Sequence, residues 1–278
     1  MHLTMDSPFI NLGPFSVRTF MALIAAAALI GLAAVTATAY RRGERHPLRW
    51  FDAGLGGVLG GVIGARLFHV LLNWAYFADH SGEIINLRAG GLNWHGALYG
   101  GLLGLWLAAR WRGVPFRHLS DVLALVWPVG VMAGWAGCWA SACGYGAEVW
   151  TLADFPTWAV SERPDVYGIA APRYNVQLFG VWFGAALLVM SILLAVSGRL
   201  HGCRLWLLLA LSGAGMFVLD FFRGDGTASF LPNLTWDHIL DLSVIAFSVV
   251  AVVGMALYSR VASRDPAVRG VVSAESEK

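Results

Sequence analysis

Charge is scarce in this chain. Only 13% of its 278 residues are Asp, Glu, Lys or Arg, and the single lysine is the C-terminal Lys278. The net charge of +2 says little about an acidic partner. No glycine-rich nucleotide loop or nucleic-acid motif is present. Cysteine is sparse too: Cys138, Cys143 and Cys203 are too few for a disulfide framework and lack zinc spacing. A separation of five fits poorly with a bridge inside one helix, so the reading is of small, buried apolar residues.

What is abundant is apolar surface. Hydrophobic residues make up 58% of the chain and mean hydropathy is +0.64, values of a polytopic membrane protein. Thirteen Trp and 33 Gly fit interfacial anchors and closely packed membrane helices. With about 20 apolar residues per crossing, the sequence predicts an all-α fold of about seven spans, near 16–40, 50–76, 92–110, 121–142, 175–197, 204–222 and 238–259. Small residues at i, i+4 from Gly54 to Gly64 and from Gly96 to Gly104 predict tight packing of the second and third spans. The first span ends in a stretch like a signal-peptidase site, but its long apolar run and weakly basic start favour a retained helix. One transmembrane domain, 1–264, is expected, with an external loop at 144–173 and a short polar cytoplasmic tail at 265–278.

Arginine sets the orientation. Arg41, Arg42, Arg45 and Arg49 follow the first span, and Arg110, Arg112 and Arg117 follow the third. Arg199 and Arg204 flank the turn after the fifth, and Arg260 and Arg264 follow the last. The alternate loops hold only Arg88, then Arg163 and Arg173, then Arg223. The positive-inside rule therefore puts the N-terminus outside and the C-terminus in the cytoplasm. The external loop carries Trp150, Phe155, Trp158 and Tyr167, as an aromatic belt or a partner grip would.

Ionisable residues in a membrane are costly and usually face the protein interior or water. Arg18, Arg66, His69, His95, Gln177, Asp220, Arg223, His238 and Asp241 gather toward the outer half of the predicted bundle, where anionic headgroups meet cations; Asp121 lies at the cytoplasmic side. Simpler readings exist for several. Arg66 can pair with a helix carbonyl, Asp121 can cap its helix, Asp220 and Arg223 can form an i, i+3 ion pair, and His69 and His238 can be structural.

These residues resemble the prolipoprotein diacylglyceryl transferase family. "GGLNWHGALYGG" (90–101) resembles its glycine–histidine segment, with His95 at the essential histidine and Gly91 and Gly96 framing it. "GARLFHVL" (64–71) keeps an arginine as Arg66, and "SDVLALVWPVG" (120–130) keeps Asp121 and Pro128. "RYNVQLF" (173–179) keeps Gln177; "LDFFRGD" (219–225) and "LTWDHILDL" resemble the sixth-span end and the last helix's start. The departures fall on polar positions. The family signature Gly-Arg-x-Gly-Asn-Phe-x-Asn-x-Glu reads here as "GWAGCWASAC" (134–143). Trp135 replaces arginine, Cys138 and Ser141 replace asparagines, and Cys143 replaces glutamate. Met216 replaces a second arginine, Asp220 a glutamate and Phe20 a tyrosine; Tyr174–Asn175 stand for His-Pro.

The resemblance implies transfer of a diacylglyceryl group from phosphatidylglycerol to the lipobox cysteine thiol of an exported lipoprotein precursor, in a bacterial-type inner membrane and without metal or other cofactor. His95 becomes the candidate base or headgroup ligand, and Arg66, Arg223, Arg173 and Arg18 the candidate phosphate ligands, supported by Asp121, Gln177 and Asp220. Two lost cations leave alternatives open: an active transferase, a non-catalytic relative that binds phospholipid or precursor, or a transporter of a lipid-like anion.

Overall fold

The computed structural model describes residues 8–12, 15–87, 90–226, 229–232 and 234–264. The predicted tail at 265–278 and Arg88 lie outside them. The chain is mostly helical: α1 (Thr19–Arg41), α2 (Leu48–Leu72), short α3 (Trp74–Asp79), α4 (Trp94–Arg112), α5 (Phe116–Ser141), α6 (Val176–Val196), α7 (Arg204–Asp220) and α8 (Trp236–Arg264). Among the described residues, α1, α2, α5, α6 and α8 are long and apolar enough to cross a membrane.

The helices pair as their small residues allow. α2 and α4 pack along most of their length. A Cβ on Gly56, Gly60 or Gly64 would run into the Gly104, Gly100 or Gly96 carbonyl, and Gly96, Gly100 and Gly104 are blocked in return. Both glycine rows therefore form one backbone-to-backbone seam, as their four-residue spacing predicts. α1 lies on α5, α5 on α6, and α7 on α8. At one end of the bundle Val35, Trp50, Ala53, Leu105 and Leu119 form a buried cluster. There Arg112 pairs with Asp52, and Asp121 accepts both the Gly202 N–H at 2.8 Å and a contact from His201.

At the other end the sequence expected loops, and the structure has three antiparallel hairpins: β1 (Phe9–Leu12) with β2 (Phe15–Arg18), β3 (Val160–Pro164) with β4 (Ala170–Tyr174), and β5 (Ser229–Leu231) with β6 (Leu234–Thr235). Each leads with at most one intervening residue into a helix: α1, α6 and α8. These strands are two to five residues long, too short for a period-2 pattern to register. The second predicted span also needs correction. Helix α2 stops at Leu72, and Asn73, at φ −116°, leads into a separate short helix.

Candidate active site

The site lies where α4 and α8 begin and where α5 and α7 end. Asn93 caps α4, its side chain accepting the Gly96 N–H at 3.0 Å. Its own N–H donates to the Ala65 carbonyl of α2, which pins the helix start. His95 is therefore held at a fixed height. It has no exposed surface, Trp94 stacks at a tilt 4.0 Å away, and Nε2 lies 2.9 Å from Asp241 Oδ1. Asp241 is equally buried, and His95 Nδ1 has no hydrogen-bond partner among the described residues. The start of α8 is fixed by His238, whose Nδ1 accepts the Thr235 N–H at 3.2 Å while Phe217 and Phe221 meet its ring edge-on.

Arg223, just past the end of α7, sits among carboxylates. Nε donates to Asp225 at 2.9 Å and Nη1 to Asp220 at 2.9 Å, with Asp237 at 3.9 Å. Burial alone would lower its basicity; Asp225, Asp220 and Asp237 outweigh that and hold the guanidinium firmly charged. Asp225 also accepts the Gly144 N–H at 2.7 Å, tying this cluster to the end of α5.

Arg173 on β4 is 3% exposed. It reaches Glu148 at 2.7 Å and Asp165 at 3.3 Å and lies over the Tyr145 ring. Arg66 is spent on backbone. It donates to the carbonyls of Glu83, Ile84, Gly90 and Gly91 at 2.6–3.0 Å, and Phe77 covers its face. Gly91, at φ +75°, packs against the His69 and Arg66 side chains, and a Cβ there would strike both. A cavity of about 430 Å³ opens here, lined by Arg66, His69, Asn73, Tyr76 and Glu83. Arg18 ends β2 in an exposed position, 6.0 Å from the Phe9 ring centroid. The contacts of Asp121, at the opposite end of the bundle, join α5 to the α6–α7 turn, apart from the His95 group.

The divergent signature has a structure of its own. Cys138 and Cys143 form a disulfide, which corrects the expectation of two packing residues. Helix α5 ends at Ser141, Ala142 takes the left-handed conformation at φ +56°, and the chain doubles back to bring the Cα atoms within 4.5 Å. The pair is not within one helix, so the spacing argument against a bridge does not apply. Gln177 Nε2 donates to the Cys143 carbonyl at 3.1 Å. Trp135 is 8% exposed in an apolar cluster with Val131, Val176 and Leu219, with Met216 beside it. Its ring lies flat on Gly180, where a Cβ would overlap the indole.

The structure thus brings together His95, Asp220 and Arg223 from the predicted set, and it adds Asp225, Asp237 and Asp241. Asp241 was visible only as one more ionisable residue. Nothing in a sequence joins it to a histidine 146 positions away.

A helical multi-pass membrane protein with a buried histidine–carboxylate–arginine group at one bundle end is the class that this fold and site define. Residues 8–257 match the prolipoprotein diacylglyceryl transferase family, and the chain belongs to it. It is 33% identical over 231 residues to the phosphatidylglycerol–prolipoprotein diacylglyceryl transferase of Aromatoleum aromaticum, covering 80% of this chain and 84% of that protein. The transferase of the same name from an Azoarcus species is 30% identical over 94% of this chain and 97% of its own. The Bacillus mycoides transferase is 33% identical over 90% and 92%.

Proposed function

We propose that this protein transfers the diacylglyceryl group of a phosphatidylglycerol-like phospholipid to the cysteine thiol of an exported lipoprotein precursor. The observation that carries the reading is a family match across 8–257 that includes His95 in its glycine frame. In the reaction a carbon–sulfur bond forms, the carbon–oxygen bond to the phosphate breaks, and glycerol phosphate leaves. The thiol proton must go to a base, because the thiolate is the nucleophile. His95, with Nδ1 unpartnered, is the candidate acceptor. Charge grows on the departing phosphate, so a cation must meet it. Arg223 is the arginine of the His95 group; Arg66, Arg173 and Arg18 complete the candidate set, with Gln177 and Gly91 shaping the surroundings.

The protein is read as a multi-pass protein of the inner membrane. α4 and α7 complete seven crossings, with the hairpin end outside. The arginine-rich loops at the opposite end support that orientation.

A second reading, binding of phospholipid or precursor without chemistry, is favoured by the same geometry. Trp135 and Met216 stand where the family has arginines, and the guanidinium groups of Arg66, Arg173 and Arg223 are occupied by protein partners. A transfer assay separates the two. Purified protein is given phosphatidylglycerol and a lipobox peptide, and the diacylglyceryl thioether is sought by mass spectrometry, with His95→Ala alongside. Product that vanishes in the variant supports the transferase. No product, where an authentic family enzyme works, leaves the binding protein.

A further inference from the structure

We infer that Asp241 is the positioning residue of His95: it fixes the ring as the Nε2–H tautomer and leaves Nδ1 as the atom that accepts a proton. This rests on the transferase reading for its catalytic consequence, but the tautomer can be read without it.

Imidazole has two nitrogens, and which one carries the proton is set by the hydrogen bond that the other atom's neighbour demands. In its ionised form Asp241 only accepts, and its Oδ1, 2.9 Å from Nε2, then pairs with a hydrogen on Nε2. The lone pair of the neutral ring then resides on Nδ1, the nitrogen without a partner among the described residues. Both side chains are 0% exposed, so water does not compete for the bond.

The two residues are on different helices and are held independently. The N-cap at Asn93 and the Trp94 ring fix the α4 side, and the His238–Thr235 contacts fix the first turn of α8. Behind Asp241 stand the carboxyl of Asp220 from α7, Asp237 from its own helix, and the Arg223 guanidinium after α7. Arg223 bonds Asp220 at 2.9 Å, which places the phosphate-candidate cation beside the carboxyl group that neighbours Asp241.

When a thiol gives its proton to Nδ1, the ring becomes a cation, and Asp241 is the anion in contact with it. The proton leaves sulfur, the new N–H bond forms at Nδ1, and Nε2–H stays where it was. Removing an orienting carboxylate from such a pair leaves substrate binding in place and slows the chemical step by roughly 10²–10⁴-fold.

The test uses the full-length protein in lipid nanodiscs, labelled with ¹⁵N-histidine, with His95→Ala supplying the assignment. Expected is an Nε2-protonated pattern for His95 that is lost in Asp241→Ala. In transfer assays Asp241→Asn, which keeps the shape and removes the charge, lowers kcat roughly 10²-fold or more with KM for phosphatidylglycerol unchanged. Asp241→Glu recovers part of the loss. An Nδ1-protonated ring in the wild type overturns the inference. So does a tautomer indifferent to Asp241, or a kcat that falls only with thermal stability. If the wild type makes no thioether, the transferase reading fails, and the tautomer pattern alone then decides the role of Asp241.

Discussion

Gly60 and Gly100 face each other so closely that a Cβ on either would overlap the other's carbonyl oxygen. Lipid gives two helices no hydrophobic reason to associate, so this contact depends on close packing and cannot be widened cheaply. Gly60→Leu or Gly100→Leu is expected to cost about 3 kcal/mol through overpacking. Thermal unfolding in detergent measures it. The seam also places His95, because Gly96 and Gly64 belong to it. Both variants should therefore lose activity along with stability.

Reduction should release two thiols at the end of α5. Before it, only Cys203 is a free cysteine. Maleimide labelling of the denatured chain is expected to add one group without reductant and three with it. The bridged cysteines are five positions apart, so the closed loop is short and its loss is expected to cost only about 2 kcal/mol. Melting of the Cys138→Ser, Cys143→Ser double variant measures that.

Arg66→Lys tests what the guanidinium holds. A lysine cannot reach the carbonyls of Glu83, Ile84, Gly90 and Gly91 together. Faster amide exchange across 83–93 is expected, with a loss of about 2 kcal/mol. If exchange stays the same while KM for phospholipid rises, the residue serves the headgroup and not the loop.

Arg173→Ala leaves the Asp165 carboxylate, 7% exposed, without its cation. An unpaired buried charge is expected to cost about 3 kcal/mol, and Asp165→Asn in the same chain should restore part of it. Limited proteolysis between β3 and β4 would report the loosening.

The glycine seam was legible in the sequence, since a four-residue repeat of small residues has one common use in a membrane helix. The helices were legible from their length and apolarity, and the family from segments running in order along the chain. The disulfide was not. It depends on the left-handed turn at Ala142, and alanine carries no signal for that conformation. The arginines were weighed as phosphate ligands, with a helix carbonyl for Arg66 and an i, i+3 pair with Asp220 for Arg223 as the simpler readings. The Asp220 pair is present, but Arg66 meets carbonyls 17 to 25 residues away, Arg173 meets Asp165 and Arg223 also faces Asp237 on α8. Such pairings exist only once the helices have been set side by side, and the His95–Asp241 bond is one of them.

The bridge at the end of α5 also carries information about place. Thiols stay reduced in a cytosol and are oxidised in a periplasm or outside a cell. Under the proposed orientation, a sulfur–sulfur bond at the hairpin end acts as a stamp of the compartment that this end has entered. A chain still awaiting insertion would carry two thiols there. The mass of the mature protein, lower by two hydrogens, would distinguish molecules that have completed their journey from those that have not.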